Sequence, residues 1–460
     1  MRPRSTLLSP CGQRLMDKVT VAVGQMTCTH DIEHNLAQCT SLVEQAQKAR
    51  AQILFLPEAC DFIARDRAET ILLAREHHTS LMRAYRDLAR KHQVWLSLGG
   101  LHVPNDRADA SHSSSDDDRV WNTHFLLDAS GDVLGEYNKL HLFDIDIPGV
   151  RVMESGFSRH GRSLVPPILT PFGNIGLSTC YDLRFAELAI WLRERGANIL
   201  TYPSAFTVTT GQAHWHTLLR ARAIETQCFV IGAAQVGVHN DKRSTYGHAA
   251  IVDPWGRVLA DCGEEKQSPS IGVAELDFTE LNKIRQRLPC DAHRRRDMYA
   301  VVTRYSKPAT QICDPQNFGG HRIPTEQIFF ETVSSFAFVN LKPVLPGHVL
   351  VSPKRVALKL SHLSLTEVSD LFVCVQRVQQ MIEHLYDTQS STVSIQDGPD
   401  AGQTVQHVHV HVLPRKPNDF TQNDDVYREL DRHDKDDRAA RTEVEMADEA
   451  SKYRQYFINL

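Results

Sequence analysis

Gln403-Thr404-Val405-Gln406-His407-Val408-His409-Val410-His411-Val412 alternates imidazole with valine through its second half. Read as a β-strand, it turns Val408, Val410 and Val412 into a core and aims His407, His409 and His411 at one common space, since successive strand side chains point to opposite faces. Same-side residues of an extended strand lie about 6.6 Å apart. Three such rings cannot close on one metal without distortion, although two could do so with a ligand from elsewhere. Neutral imidazole is a nucleophile near pH 7, and its protonated form pairs well with phosphate oxygens. One histidine flanked by two others on its own face therefore suits attack on phosphorus, the neighbours orienting the ring and holding charge.

The surrounding chain, residues 318–460, reads as a compact α+β domain. Ile328-Phe329-Phe330, Ser335–Val339 and Pro346–Val351 are predicted strands. Ser364 and Glu367 form a capping box ahead of Val368, Leu371, Phe372, Val375, Val378, Ile382 and Leu385, the apolar face of one helix. Met446, Ala450, Tyr453 and Phe457 keep the register of a last helix. With Gln396-Asp397-Gly398-Pro399 and Ala401-Gly402 just upstream, and Phe338-Val339-Asn340-Leu341-Lys342-Pro343-Val344-Leu345-Pro346-Gly347-His348 further back, this half resembles the histidine-triad nucleotide hydrolases, in particular their fragile-histidine-triad branch.

The resemblance implies that His409 is the nucleophile, forming a nucleotidyl-histidine that water then hydrolyses. It implies that His407 and His411 flank it and that His348, the fourth family histidine, holds the His409 tautomer through a network. Asn340 would contact the nucleoside sugar, and Gln396 and Gln403 the phosphate chain; ordinary turn chemistry around Gly398-Pro399 and Gly402 accounts for the two glutamines equally well. In that branch the substrates are dinucleoside polyphosphates, with diadenosine triphosphate cleaved to AMP and ADP. No tightly bound cofactor or protein-held metal is expected; magnesium or manganese would arrive complexed to the polyphosphate.

At 460 residues the chain is long enough for two domains. Its 42% hydrophobic and 23% charged content fit a soluble globular protein, and a net charge of −5 argues against a general nucleic-acid binder. No apolar run approaches the roughly 20 residues that span a bilayer. The ten cysteines include no Cys-x-x-Cys pair, which favours a reducing compartment over a disulfide framework. Residues 1–17 read as a flexible tail; Arg2, Arg4, Arg14, Ser5 and Ser9 with no acid before Asp17 also fit a weak mitochondrial presequence, while the rest of the chain reads as cytoplasmic.

The first half begins as strand, helix, strand: Val19–Val23, then Ile32, Leu36, Cys39, Leu42, Val43, Ala46 and Ala49 at helical spacing, then Ile53–Leu56. A second helix is expected from about Thr79 to His92, a flexible surface loop over Asn105–Arg119, and a hairpin over Trp121–Leu142. Glu58, Lys139 and Cys180 all fall at strand ends. Singly they are a cap, a solvated lysine and a core thiol; together they are an acyl-transfer set. A thiol needs a base, and Glu58 in a low-dielectric cleft is expected to have a raised pKa for that role. The lysine ammonium supplies charge where a tetrahedral intermediate turns negative. His214-Trp215-His216 is a poor metal pair, because residues two apart do not share a helix face.

Leu56-Pro57-Glu58-Ala59, Tyr137-Asn138-Lys139-Leu140-His141-Leu142-Phe143-Asp144 and Ser178-Thr179-Cys180-Tyr181-Asp182-Leu183-Arg184-Phe185 resemble, in order, the three signature segments of the carbon–nitrogen hydrolase (nitrilase) superfamily. That resemblance implies a Glu58–Lys139–Cys180 triad, an additional active-site glutamate at Glu154, a four-layer α-β-β-α sandwich and assembly into a homotetramer. The chain is thus read as a fusion of the two families: residues 18–305 nitrilase-like, 306–317 a linker and 318–460 the histidine-triad domain. The superfamily branch that the first half resembles hydrolyses deaminated glutathione; a true nitrile hydrolase is the enzymatic alternative. A contrasting reading makes the chain a signalling module that holds its nucleotide, with the first half as oligomerisation scaffold.

Overall fold

Ala22, Leu54, Leu56, Leu96 and Leu98 share one sheet face, while Val21, Val23, Ile53 and Phe55 point to the other, and both sets are buried. A sheet buried on both faces needs a layer on each side. In the computed structural model, which describes residues 16–105, 117–147, 150–264, 269–296, 298–299, 314–432 and 438–458, these strands belong to the first of two units, Met1–Arg294 and Arg295–Leu460. Each unit is described by itself.

The first unit holds a nine-stranded sheet around Lys18–Met26, which pairs in parallel with Ile53–Leu56 and antiparallel with Ser270–Asp277. Ile53–Leu56 runs parallel to Trp95–Val103, which pairs antiparallel with Val120–Leu127 and so leads to Val133–Asn138. One face is covered by helices Ile32–Lys48 and Arg67–His92, through Leu42, Val43, Ala46, Leu81, Tyr85 and Ala89. A six-stranded sheet built from residues 168–261, covered by Ala186–Glu194 and Val208–Thr226, completes the α-β-β-α sandwich.

The second helix starts at Arg67, not Thr79. Asp66 caps it by accepting from the Glu69 amide, and its polar first turns contribute Ile71, Ala74 and the partly buried Leu73 to a small cluster with Phe62 and Val120, too thin a stripe to read as helical period. Met16 and Asp17, assigned to the tail, are tied in: the Met16 amide donates to Pro171 O, and Asp17 O accepts from Phe278 N. Residues 1–15 of the expected tail, 106–116 of the expected loop and 306–313 of the expected linker lie outside the described residues. Gln316 and Asn317, also assigned to the linker, form a strand with Phe318 that pairs antiparallel with His321–Ile323.

The second unit is a five-stranded antiparallel sheet ordered Ile328–Glu331, Ser335–Val339, Val349–Pro353, Val410–Pro414, Ser391–Ser394. Val408, Val410 and Val412 join Val349 and Val351 in a core against Leu371, Val375 and Val378 of helix Leu365–Leu385, and against Tyr453 and Phe457 of helix Glu443–Ile458. Ser364 and Glu367 close the expected capping box at the first of these helices.

The strand is shorter than the alternation suggests. It begins at Val410, with residues 405–407 in bends, because its partner ends at Pro353, which has no N–H to extend the ladder. Only His411 therefore lies within the regular strand.

Candidate active sites

In the first unit three chain segments deliver their polar ends to one cavity lined by Glu58, Asn122, Lys139, Glu154 and Cys180. Lys139 is 1% exposed, and its Nζ lies 2.8 Å from Glu58 Oε1 and 2.7 Å from Glu154 Oε2. Asn122 Nδ2 donates to the same two carboxylates, at 2.9 and 3.1 Å. Backbone amides complete the cradle: Ala205 N donates to Glu58 Oε2 and Phe143 N to Glu154 Oε2.

Burial pushes Glu58 up, as expected of a cleft carboxylate, but the expectation of a raised pKa is overturned. The Lys139 ammonium and the hydrogen-bonded Cys180 thiol together outweigh desolvation and bring Glu58 to about 2. The thiol moves the other way, raised by burial and then by the Glu58 charge, while burial is outweighed at Lys139 by its two carboxylates. The resting site is therefore carboxylate, ammonium and neutral thiol.

Cys180 sits between strand Gly173–Leu177 and helix Ala186–Glu194 with φ +49°, in the left-handed region. Thr179 and Asp182 hold that turn in a capping box, and the Cys180 amide donates to Pro203 O. Asp182 also accepts from Tyr137 Oη at 2.7 Å and from His141 N at 3.1 Å, with His141 Nδ1 2.7 Å away. One buried carboxylate thus joins the segment bearing Lys139 to the segment bearing Cys180.

The sequence reading passed over Asn122. Its signal is a period of two: in the apolar strand Val120–Leu127, Asn122 and His124 are polar residues on one face, and both are buried. Arg243 and Thr210, which also line the cavity, carry no such signal.

His216 is brought not to His214 but to His248 and Asp261. Its Nε2 lies 2.8 Å from Asp261 Oδ2, and His248 Nδ1 lies 2.9 Å from Oδ1. The carboxylate joins both rings and also accepts from Gly263 N.

In the second unit His407, His409, His411 and His348 are all buried, but they do different things. His409 Nδ1 lies 2.7 Å from its neighbour's carbonyl, His407 O, and so must donate its proton there. The Nε2 lone pair is left as the nucleophilic position. His348 Nδ1 accepts from Val344 N at 3.1 Å, which places its proton on Nε2, 3.0 Å from His411 Nδ1. His411 in turn meets His409 edge-on, ring centroids 5.0 Å apart, while the His409 tautomer is set by His407 O and not by His348 as expected.

His407 departs from the common-space reading. Its Nδ1 accepts from Gly319 N and its Nε2 donates to Pro353 O at 2.9 Å, so the ring braces the backbone. Burial holds it at about 4, neutral near pH 7.

Asn340 is buried beside His348, with Nδ2 3.3 Å from His348 Nε2 and Oδ1 accepting from Lys342 N. Gln403 uses its amide on the backbone, accepting from Gly398 N and donating to His407 O and Leu358 O, which is the turn chemistry that its sequence context allowed. Gln396 is half-buried, and its amide makes no hydrogen bond among the described residues.

Residues 20–286 match the family model for carbon–nitrogen hydrolases, and residues 322–418 match that for the HIT domain. The chain is 48% identical over 436 residues to the nitrilase and fragile histidine triad fusion protein of Caenorhabditis elegans, covering 94% of this chain and 96% of that protein. It is 47% identical over 283 residues to the deaminated glutathione amidase of Mus musculus, covering 61% of this chain and 85% of that protein. The solved structure of the C. elegans fusion protein superposes with a TM-score of 0.85 at 45% identity, over 96% of this chain and 99% of that one. Among the described residues, no helix is long and apolar enough to cross a membrane.

Proposed function

The chain belongs to the nitrilase and fragile-histidine-triad fusion family, a carbon–nitrogen hydrolase unit followed by a HIT unit on one polypeptide, and on that premise we propose a bifunctional hydrolase whose two sites break different bonds. In the first unit Cys180 Sγ attacks the carbonyl carbon of a small amide as its proton passes to Glu58. Glu58 returns that proton to the departing amine, leaving a thioester. It then takes a proton from water, whose oxygen displaces the sulfur and releases the acid, and passes that proton to the departing Sγ to restore the thiol. Lys139 holds Glu58 ionised for each transfer, and its charge faces the oxygen that becomes negative.

The observation that carries this reading is that Glu58, Lys139 and Cys180 line one cavity with Lys139 Nζ 2.8 Å from Glu58 Oε1, an ionised base facing the space that holds the neutral thiol. Deaminated glutathione is the proposed amide, supported by the likeness to the amidase of that name.

In the second unit Nε2 of His409 attacks the α-phosphorus of diadenosine triphosphate, presented as its magnesium or manganese complex. ADP departs, and water cleaves the phosphorus–nitrogen bond to give AMP. The fixed tautomer of His409 supports this role. The assembly proposed is a homotetramer with independent sites.

The test is mass-spectrometric turnover of both substrates by the intact protein, by Cys180→Ala and by His409→Asn. Each variant is expected to lose one activity and keep the other. Loss of both in either variant, with the oligomer intact, would refute independent sites; an amide activity that survives Cys180→Ala would refute the thioester route.

A further inference from the structure

The amidase cavity is lined by two carboxylates, Glu58 and Glu154, and two cations, Lys139 and Arg243. Lys139 is committed to both carboxylates. Arg243, by contrast, makes no side-chain ion pair or hydrogen bond among the described residues. A guanidinium half-buried at a cavity wall without an anion is poised for one that arrives from solvent, because its planar fork matches a carboxylate with two parallel hydrogen bonds.

The local fold places this cation deliberately. Strand Arg243–Tyr246 is pinned to the start of helix Val208–Thr226, since Thr245 bridges Thr207, the helix N-cap, and Tyr246 N donates to Phe206 O. Thr210, in the first turn of that helix, lines the same cavity. The positive end of a 19-residue helix and a positive side chain therefore share one wall. Arg243 is also near enough for its charge to help hold Glu58 ionised.

We propose that Arg243 is a specificity-determining residue that binds a free carboxylate of the amide substrate, so that the first unit discriminates against uncharged amides and simple nitriles. The assignment rests on the amidase reading of that unit. Among the described residues that line the cavity, the anions are the two held by Lys139 and the uncommitted cation is Arg243, so a substrate carboxylate finds its partner here. Loss of that charge weakens capture of anionic substrates before the chemistry begins.

Two measurements on the intact protein separate this assignment from the activity on which it rests. The first is the rate at which iodoacetamide alkylates Cys180, followed by peptide mass spectrometry, with glutarate or with its uncharged counterpart 1,5-pentanediol present. Glutarate is expected to protect the wild type about tenfold or more better than Arg243→Met, with Arg243→Lys in between. Pentanediol is expected to make no such distinction. Equal protection of wild type and Arg243→Met by glutarate, or protection of neither, would overturn the proposal.

The second is turnover. Arg243→Met is expected to lower kcat/KM for an anionic amide by about 10- to 100-fold more than for an uncharged one, mainly through KM. An equal fall on both would also overturn the assignment. Arg243-dependent protection by glutarate in a wild type that cleaves no amide would instead refute the amidase reading and leave the carboxylate site standing.

Discussion

Replacing Lys139 by methionine removes the one ammonium between two buried carboxylates and leaves only the Asn122 amide to separate them. In the wild type the Lys139 ammonium holds the buried Glu58 carboxyl well below its ordinary 4.5, a preference for the charged form that overcomes desolvation. Lys139 supplies much of that preference against the cost of burial. Without it, breaking the buried pair is expected to destabilise the first unit by about 3–5 kcal/mol at pH 8.

The sign of the pH dependence is the sharper test. Glu58 in the wild type is depressed, so its contribution is fully present above 4.5 and is lost only as pH falls toward 2; between pH 5 and 8 it adds no slope. In Lys139→Met two like charges cannot both persist, and one carboxyl rises above its unfolded value. The variant should then become more stable as pH falls from 8 to 5, by about 1.4 kcal/mol for each unit of that rise. All five tryptophans, at 95, 121, 191, 215 and 255, lie in the first unit, so the fluorescence-detected urea midpoint reports that unit alone. A variant whose midpoint stays flat or falls between pH 8 and pH 5 would show that Glu58 and Glu154 are not coupled through Lys139, and the resting charge state derived above would be wrong.

Gly100 has φ +74°, and a Cβ there would stand 2.5 Å from Asn122 Oδ1 and 3.1 Å from Glu58 Cγ. Gly100→Ala should cost about 1–3 kcal/mol in the same fluorescence assay and lower amide turnover by displacing Asn122; an unchanged midpoint would contradict the packing. His407 stands at about 4 against 6.5, so its contribution is present above pH 6.5 and is lost as pH falls through 4. Hydrogen exchange in Val410–Pro414, corrected for intrinsic rate, should therefore loosen over that window in the wild type and not in His407→Gln. His348→Ala removes the proton donor to His411 and should lower kcat for diadenosine triphosphate by about 10- to 100-fold with little change in nucleotide affinity. A change confined to KM would point to a purely structural role.

Residues carried by local pattern were legible, whereas those defined by distant partners were not. Glu58, Lys139 and Cys180 announce themselves as polar residues at the ends of apolar strands, and the buried valines at 408, 410 and 412 follow from alternation alone. The direction in which Glu58 titrates depends on an ammonium 81 residues away in sequence, and burial by itself argues the wrong sign. His407 looks like the twin of His409 until Pro353, 54 residues earlier, is seen to end the ladder and accept a hydrogen bond from its Nε2–H. The pairing of His216 with Asp261 spans 45 residues, and no periodicity signals it. The start of the second helix was hidden for a different reason: its first turns pack too little apolar surface to show a period.

The left-handed backbone at Cys180 implies an antagonism between durability and activity in the first unit. A β-carbon in that region costs on the order of 1 kcal/mol or more, and it persists here because the Thr179–Asp182 box and the bond to Pro203 leave the turn no other shape. Glycine at 180 would relieve the strain and remove the nucleophile in one change, so the inert protein should outlast the active one. Selection for thermal robustness alone would favour that change, and selection for hydrolysis would oppose it.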